Sequence, residues 1–140
     1  MLVSELMTKN PVSLTKEDTV RDAVEKMYEL DIRHLPVLDE EGAVLGIVTD
    51  KDISSCLALG DISDNNSEEV EERLSVSVLD IMHEGAITVT EESPISDVIE
   101  IMVENKFGAV PVVSSDDGKL IGIVSYIDLL KEAQEYFEEK

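Results

Sequence analysis

Two short stretches place a hydroxyl and a carboxylate three residues apart: Thr49 with Asp52, and Ser125 with Asp128. Each follows an apolar run, Gly46-Ile47-Val48 in one case and Gly122-Ile123-Val124 in the other. That order reads as a short buried strand handing over to a helix. The spacing carries two meanings. In one, the pair closes a capping box over the first turn. In the other, the same geometry recognises a nucleoside phosphate. Unpaired amides at a helix start face an anion, the hydroxyl adds a donor, and the carboxylate accepts two hydrogen bonds from a ribose diol. Cations suited to the phosphate stand near the first pair. Arg33 offers a planar fork of donors, His34 can donate whether neutral or charged, and Lys51 lies inside the junction. The later copy has Gly108-Ala109 and Ile127 at these places, so two equally strong phosphate sites are not expected.

Other chemistry finds less support. The two histidines, His34 and His83, have no ligand spacing around them, and His83 reads as a loop residue after Met82. Cys56 has no second cysteine or nearby histidine and reads as a small core residue. A structural zinc site is not expected. Neither junction is a G-x-x-x-x-G-K-[ST] phosphate loop or a G-x-G-x-x-G fingerprint, which disfavours triphosphate hydrolysis and dinucleotide redox chemistry. With 32 acidic residues, carboxylate pairs arise by accident and do not argue for catalysis.

The formal net charge is -21. It repels nucleic acid and anionic membranes at long range, so neither is expected as a partner. Any anion site must be locally basic. There is no Trp and there are only two Phe, so Val, Ile and Leu must fill the core. No stretch is apolar enough to span a membrane. The opening residues lack a basic region followed by an apolar run, so no secretion signal is expected. One cysteine fits a cytoplasmic setting.

The elements that must position these residues come in two copies. Met7 matches Met82, Pro11-Val12-Ser13-Leu14 matches Ala86-Ile87-Thr88-Val89, and the run from Val20 to Met27 matches that from Ile95 to Met102. Leu35-Pro36-Val37-Leu38 matches Val110-Pro111-Val112-Val113, and the two strand-to-helix junctions follow. Each copy reads as an extended stretch, a helix, a hairpin around Gly42 or Gly118, and a closing helix. Asp18 or Thr19 caps the first helix, with Asp22 able to close a box with Thr19. In the second copy Ser93 is the candidate cap, with Pro94 at the first helical position. Val20, Ala23, Val24 and Met27 form one apolar face, and Ile95, Val98, Ile99 and Met102 form its counterpart. The last helix is expected to line one face with Ile127, Leu130, Ala133 or Gln134, and Phe137. The expected division is 1–60 for the first repeat, 61–77 for an acidic polar linker, and 78–140 for the second repeat. The first closing helix ends near Gly60, and a helical turn or two follows between Glu68 and Leu74. Units this small are expected to pack on each other about an approximate two-fold, with clefts between equivalent junctions, and to bury their outer faces in a homodimer.

The ordered set of motifs resembles a tandem pair of cystathionine-beta-synthase (CBS) domains, a Bateman module. It comprises Met7-Thr8, Arg33-His34-Leu35-Pro36-Val37 and Gly46 to Asp52, then Gly108-Ala109-Val110-Pro111-Val112 and Gly122 to Asp128. The resemblance implies an α/β (α+β) fold of two β-α-β-β-α repeats. It implies an adenosine-containing ligand in the cleft between them: AMP, ADP, ATP or S-adenosylmethionine. Ribose would fall on Asp52 and Asp128, phosphate or sugar near Thr49 and Ser125, phosphate on Arg33 and His34, and adenine against Val12 and Ile87. No cofactor is required, and Mg2+ would come only with ATP. The resemblance further implies a non-catalytic module that signals to a regulated protein, which the sequence does not identify. The alternative is a structural or protein-interaction homodimer with no nucleotide bound.

Overall fold

The computed structural model describes residues 1–58 and 67–138. In chain order the first elements are α1 (Val3–Leu6), β1 (Thr8–Lys9), β2 (Leu14–Thr15), α2 (Val20–Leu30), β3 (His34–Leu38), β4 (Val44–Thr49) and α3 (Asp50–Ala58). Then come α4 (Ser67–Leu74), a 3-10 turn (Val78–Asp80), β5 (His83–Glu84), β6 (Val89–Thr90), α5 (Ile95–Asn105), β7 (Ala109–Val113), β8 (Leu120–Ser125) and α6 (Tyr126–Phe137). The expected β-α-β-β-α order is present in both copies, now as β2-α2-β3-β4-α3 and β6-α5-β7-β8-α6.

The chain forms two compact units. One is Val12–Gly85; the other joins Met1–Pro11 to the stretch from Ala86 onward. In the first unit the sheet order is β2-β3-β4-β5. β2 runs parallel to β3 because helix α2 carries the chain back, whereas β3 and β4 form an antiparallel hairpin. Gly42, at φ 89°, sits in the turn, and the Asp39 carboxylate accepts from the amides of Glu41 and Ala43 at 2.8 and 2.9 Å. In the second unit the order is β1-β8-β7-β6, with the same parallel and antiparallel pattern.

Each sheet therefore carries a fourth, edge strand that the repeat alone does not announce. β5 pairs with β4 and β1 with β8, both antiparallel. Gly46 and Gly122 make room for them. A Cβ on Gly46 would meet the Met82 Sδ at 2.9 Å as well as the His83 carbonyl oxygen, and one on Gly122 would meet the Met7 Sδ at 2.5 Å. A glycine inside an apolar strand marks such a close approach.

The cores are small and aliphatic. In the first unit Leu14, Val20, Ala23, Leu35, Val37, Val48, Ile53 and Val78 are buried, with Val24, Met27 and Leu74 packed against them. In the second, Val3, Val89, Val98, Met102, Val110, Val112 and Val124 are buried, with Ile95, Ile101 and Leu129 against them. Val78 and Val3 arrive from the segments that precede the edge strands.

Helix α2 starts as the capping box anticipated. Thr19 is the N-cap, its amide donates to Asp22 Oδ2 at 2.8 Å, and the Asp22 amide returns to Thr19 Oγ1 at 3.5 Å. Asp18 instead receives the Thr15 amide at 2.8 Å. In the second copy Ser93 is not the cap. Its Oγ turns back to accept from the Thr90 amide at 3.1 Å, and Pro94 takes the N-cap position with Ile95 as the first helical residue. Two apolar faces also differ from expectation. Ile99 is 45% exposed, because Ile101 rather than Ile99 turns to the core. On α6, Leu129 makes the core contact, while Ile127, Leu130 and Phe137 stay exposed at 42, 59 and 76%. The end of the first closing helix near Gly60 lies outside the described residues. The polar stretch beyond them resumes as helix α4, which Arg73 ties to α3 by donating to the Leu57 carbonyl at 2.9 Å, while its other guanidinium nitrogen donates within α4 to Glu69 Oε1 at 2.5 Å.

Candidate functional site

In the first unit the candidate residues meet at one end of the sheet. His34 opens β3 and pairs in register with Thr49, which ends β4. Parallel pairing sets Leu14 beside Val37, and Val12 lies two residues before Leu14. Val12 is 40% exposed, an apolar side chain left at the surface. Asp52 follows Thr49 on the first turn of α3.

The Thr49–Asp52 pair is a complete capping box. Asp52 Oδ2 accepts from the Thr49 amide at 2.8 Å and from Thr49 Oγ1 at 2.9 Å, and the Asp52 amide donates back at 3.3 Å. The other carboxylate oxygen is taken as well: Asp52 Oδ1 lies 2.9 Å from His83 Nε2. The Asp52 side chain is only 13% exposed, whereas His83 is open to solvent. His83 is not a loop residue; it lies on β5 opposite Ile47. Its sequence signals were its match to Thr8 after the paired methionines, and the glycine that admits the edge strand. Read singly, neither pointed to Asp52.

The basic residues are only partly free. Arg33 Nη1 donates to Asp50 Oδ2 at 3.5 Å with both side chains exposed, and the Asp50 amide donates to the Arg33 carbonyl at 3.1 Å. Burial pushes the His34 imidazole below its ordinary pKa; Arg33 adds to that, and Asp50 and Asp52 oppose it. His34 is therefore a neutral donor at pH 7 rather than a cation. Lys51 is exposed at the start of α3. Arg33 and Lys51 together balance Asp50 and Asp52, which makes this corner far less acidic than the chain around it.

The second unit repeats the frame without the cations. Ala109 pairs with Ser125 as His34 does with Thr49. Asp128 Oδ2 accepts from the Ser125 amide at 2.9 Å and from Ser125 Oγ at 3.1 Å, and the Asp128 amide donates back at 3.3 Å. Ile87 matches Val12 and is 39% exposed. Thr8 takes the place of His83, opposite Ile123 on β8. Among the described residues no group of His, Cys, Asp and Glu is arranged to hold a metal, and no helix is long and apolar enough to cross a membrane.

Two four-stranded sheets, each ending in a capped carboxylate, define a tandem α/β module. The CBS domain family model matches residues 3–59 and again 78–135, and the chain belongs to that family. A CBS domain-containing protein of Dictyostelium discoideum is 30% identical over 130 residues, covering 93% of this chain and 89% of that protein. L-aspartate semialdehyde sulfurtransferase of Methanocaldococcus jannaschii is 30% identical over 91% of this chain, which spans only 22% of the relative's length. Among solved structures, the CBS domain pair of protein MJ0100, in complex with 5'-methylthioadenosine and S-adenosyl-L-methionine, is 26% identical with a TM-score of 0.81, covering 97% of this chain and 98% of that one. CBSX2 in complex with AMP is also 26% identical, with a TM-score of 0.78 and 98% of both chains covered.

Proposed function

We propose that this chain is a non-catalytic regulatory module that binds an adenosine-containing ligand and passes its occupancy to a partner protein. The observation that carries this reading is the pair of carboxylates, Asp52 and Asp128, each fixed by a hydroxyl-capped first turn at the same strand end. A carboxylate held in this way is already oriented when a sugar hydroxyl arrives. The exposed Val12 and Ile87 offer apolar surface to a base, and Arg33, His34 and Lys51 offer donors to a phosphate in the first unit. Relatives of the same fold bound to AMP and to S-adenosyl-L-methionine support the choice of adenosine. Under this reading the first unit takes the phosphorylated ligand. The second, with Gly108 and Ala109 in place of the cations, takes one that depends less on phosphate. Mg2+ enters only as the companion of a triphosphate, and the lone Cys56 is in keeping with a cytoplasmic setting.

A thermal-shift panel of AMP, ADP, ATP, S-adenosylmethionine and GTP tests the reading. An adenosine ligand that binds the native state raises the melting temperature in a concentration-dependent way, and GTP should do so less. No shift with any of them, confirmed by calorimetry, would leave a structural dimer as the better description.

A further inference from the structure

The two carboxylates are not equally available, and the difference lies in one residue. Asp52 has both oxygens engaged: Oδ2 by Thr49 twice, Oδ1 by His83 Nε2 at 2.9 Å. Asp128 has the same two bonds on Oδ2, yet among the described residues nothing donates to its Oδ1. The edge strand explains this. β5 brings His83 alongside β4, where an imidazole reaches across to the first turn of α3. β1 brings Thr8 to the matching place on β8, where the shorter side chain makes no bond to Asp128. We propose that His83 is an internal competitor at the first unit's carboxylate, so that a ribose diol enters there only by displacing the imidazole, while Asp128 receives a diol directly. The inference rests on the ribose role proposed for Asp52.

The geometry favours displacement over a shared site. A carboxylate oxygen has about two acceptor positions. Oδ2 has both filled by the cap, and His83 takes one of the two on Oδ1. A diol that brings two hydroxyls then finds one place. His83 is 69% exposed and can swing into solvent without disturbing the core, so it acts as a removable stopper. It adds a binding threshold to the unit with the cations. A nucleoside lacking phosphate gains nothing from Arg33 or Lys51 to offset that threshold, whereas a nucleotide does. The threshold is the same for nucleoside and nucleotide, and only the nucleotide brings a phosphate whose contacts offset it.

His83→Thr installs the residue that the second unit already uses at this position, on an exposed edge strand where threonine suits the backbone. Calorimetric titration with adenosine and with AMP should be run on the parent, on His83→Thr, on Asp52→Asn and on the double variant. The expected result is adenosine binding roughly three- to fivefold tighter in His83→Thr, the scale of one net hydrogen bond. The gain should disappear when Asp52→Asn is also present. Unchanged or weaker adenosine binding in His83→Thr, with AMP still bound, overturns the competitor role and leaves the ligand reading intact. A gain that persists without the Asp52 carboxylate also overturns it. If no variant binds either compound, the ligand reading itself fails, and the competitor role with it.

Discussion

At the scale of single residues, Asp52 and Asp128 each close a capping box and are each proposed to receive a ribose. Asp22 closes an equivalent box with Thr19 on α2 and has no place in the ligand proposal. It is therefore the internal control. Asp22→Asn and Asp52→Asn should each cost about 1 kcal/mol of stability through the cap. Asp52→Asn alone should also weaken nucleotide binding, by roughly 1.5–3 kcal/mol, because it removes charge-assisted bonds. If calorimetry shows the two variants binding AMP alike, Asp52 is a cap and nothing more. Arg33→Ala should weaken AMP but spare adenosine, and its exposed pairing with Asp50 makes it cheap for folding. His34 gives a pH signature. Its folded pKa is lowered, chiefly by burial, so between the folded value and the unfolded one near ~6.5 the unfolded chain binds more protons. Stability should then fall as pH drops below about 6.5, and the loss should be complete below the folded pKa. Urea melts from pH 7.5 to 5 should show this slope, and His34→Gln should flatten it; an equal slope in both would remove His34 as the cause. The capping pairs were legible from spacing alone. His83 was not, because its bond to Asp52 depends on a strand pairing that no local pattern encodes.

At the scale of elements, the repeat made the helices, the hairpins and the strand-to-helix junctions readable. Its apolar periodicity matched the buried faces of α2 and, apart from Ile99, of α5. The edge strands escaped because they pair with β8 and β4 across long stretches of sequence, which no local pattern encodes. The faces of α6 escaped because sequence reports which residues share a stripe, not which stripe meets the core; Leu129 does, and the stripe through Leu130 does not. The glycines of the junctions do more than shape a turn. Gly46→Ala should be destabilising by about 1–3 kcal/mol, the cost of overpacking, since its Cβ collides with Met82 and the His83 backbone. Amide exchange should show the extra opening in β5 rather than β3. Uniform loss of protection across the sheet would mean that β5 is not the part that yields.

At the scale of the whole molecule, the exposed apolar residues concentrate on the second unit. Ile99, Val103, Leu130, Tyr136 and Phe137 are exposed on α5 and α6, and Tyr136 and Phe137 stack edge to face at 5.1 Å. Met1, Leu6, Ile95, Ile99 and Leu129 join these two aromatics in lining one groove. Such a surface is in keeping with the homodimer expected from the sequence. With a net charge of -21 the copies repel, so association should strengthen with salt. Sedimentation at low micromolar protein should show a dimer at moderate salt, and Leu130→Glu should release the monomer. A parent chain that stays monomeric across the salt range would rule the dimer out.

The way the opening segments are assigned has a consequence in time. Everything in the first unit lies between Val12 and Gly85, so it can close as soon as that stretch has been synthesised. Residues 1–11 are made earlier, yet Thr8 pairs with Ile123 and Val3 is buried among residues from Val89 onward. They must wait, unpaired, while the rest of the chain is made. During that interval a nascent chain holds one finished sheet and one unclaimed apolar segment, the kind of exposed surface that chaperones and proteases recognise. An arrested chain is thereby marked at residues 1–11, and the mark disappears when β8 forms.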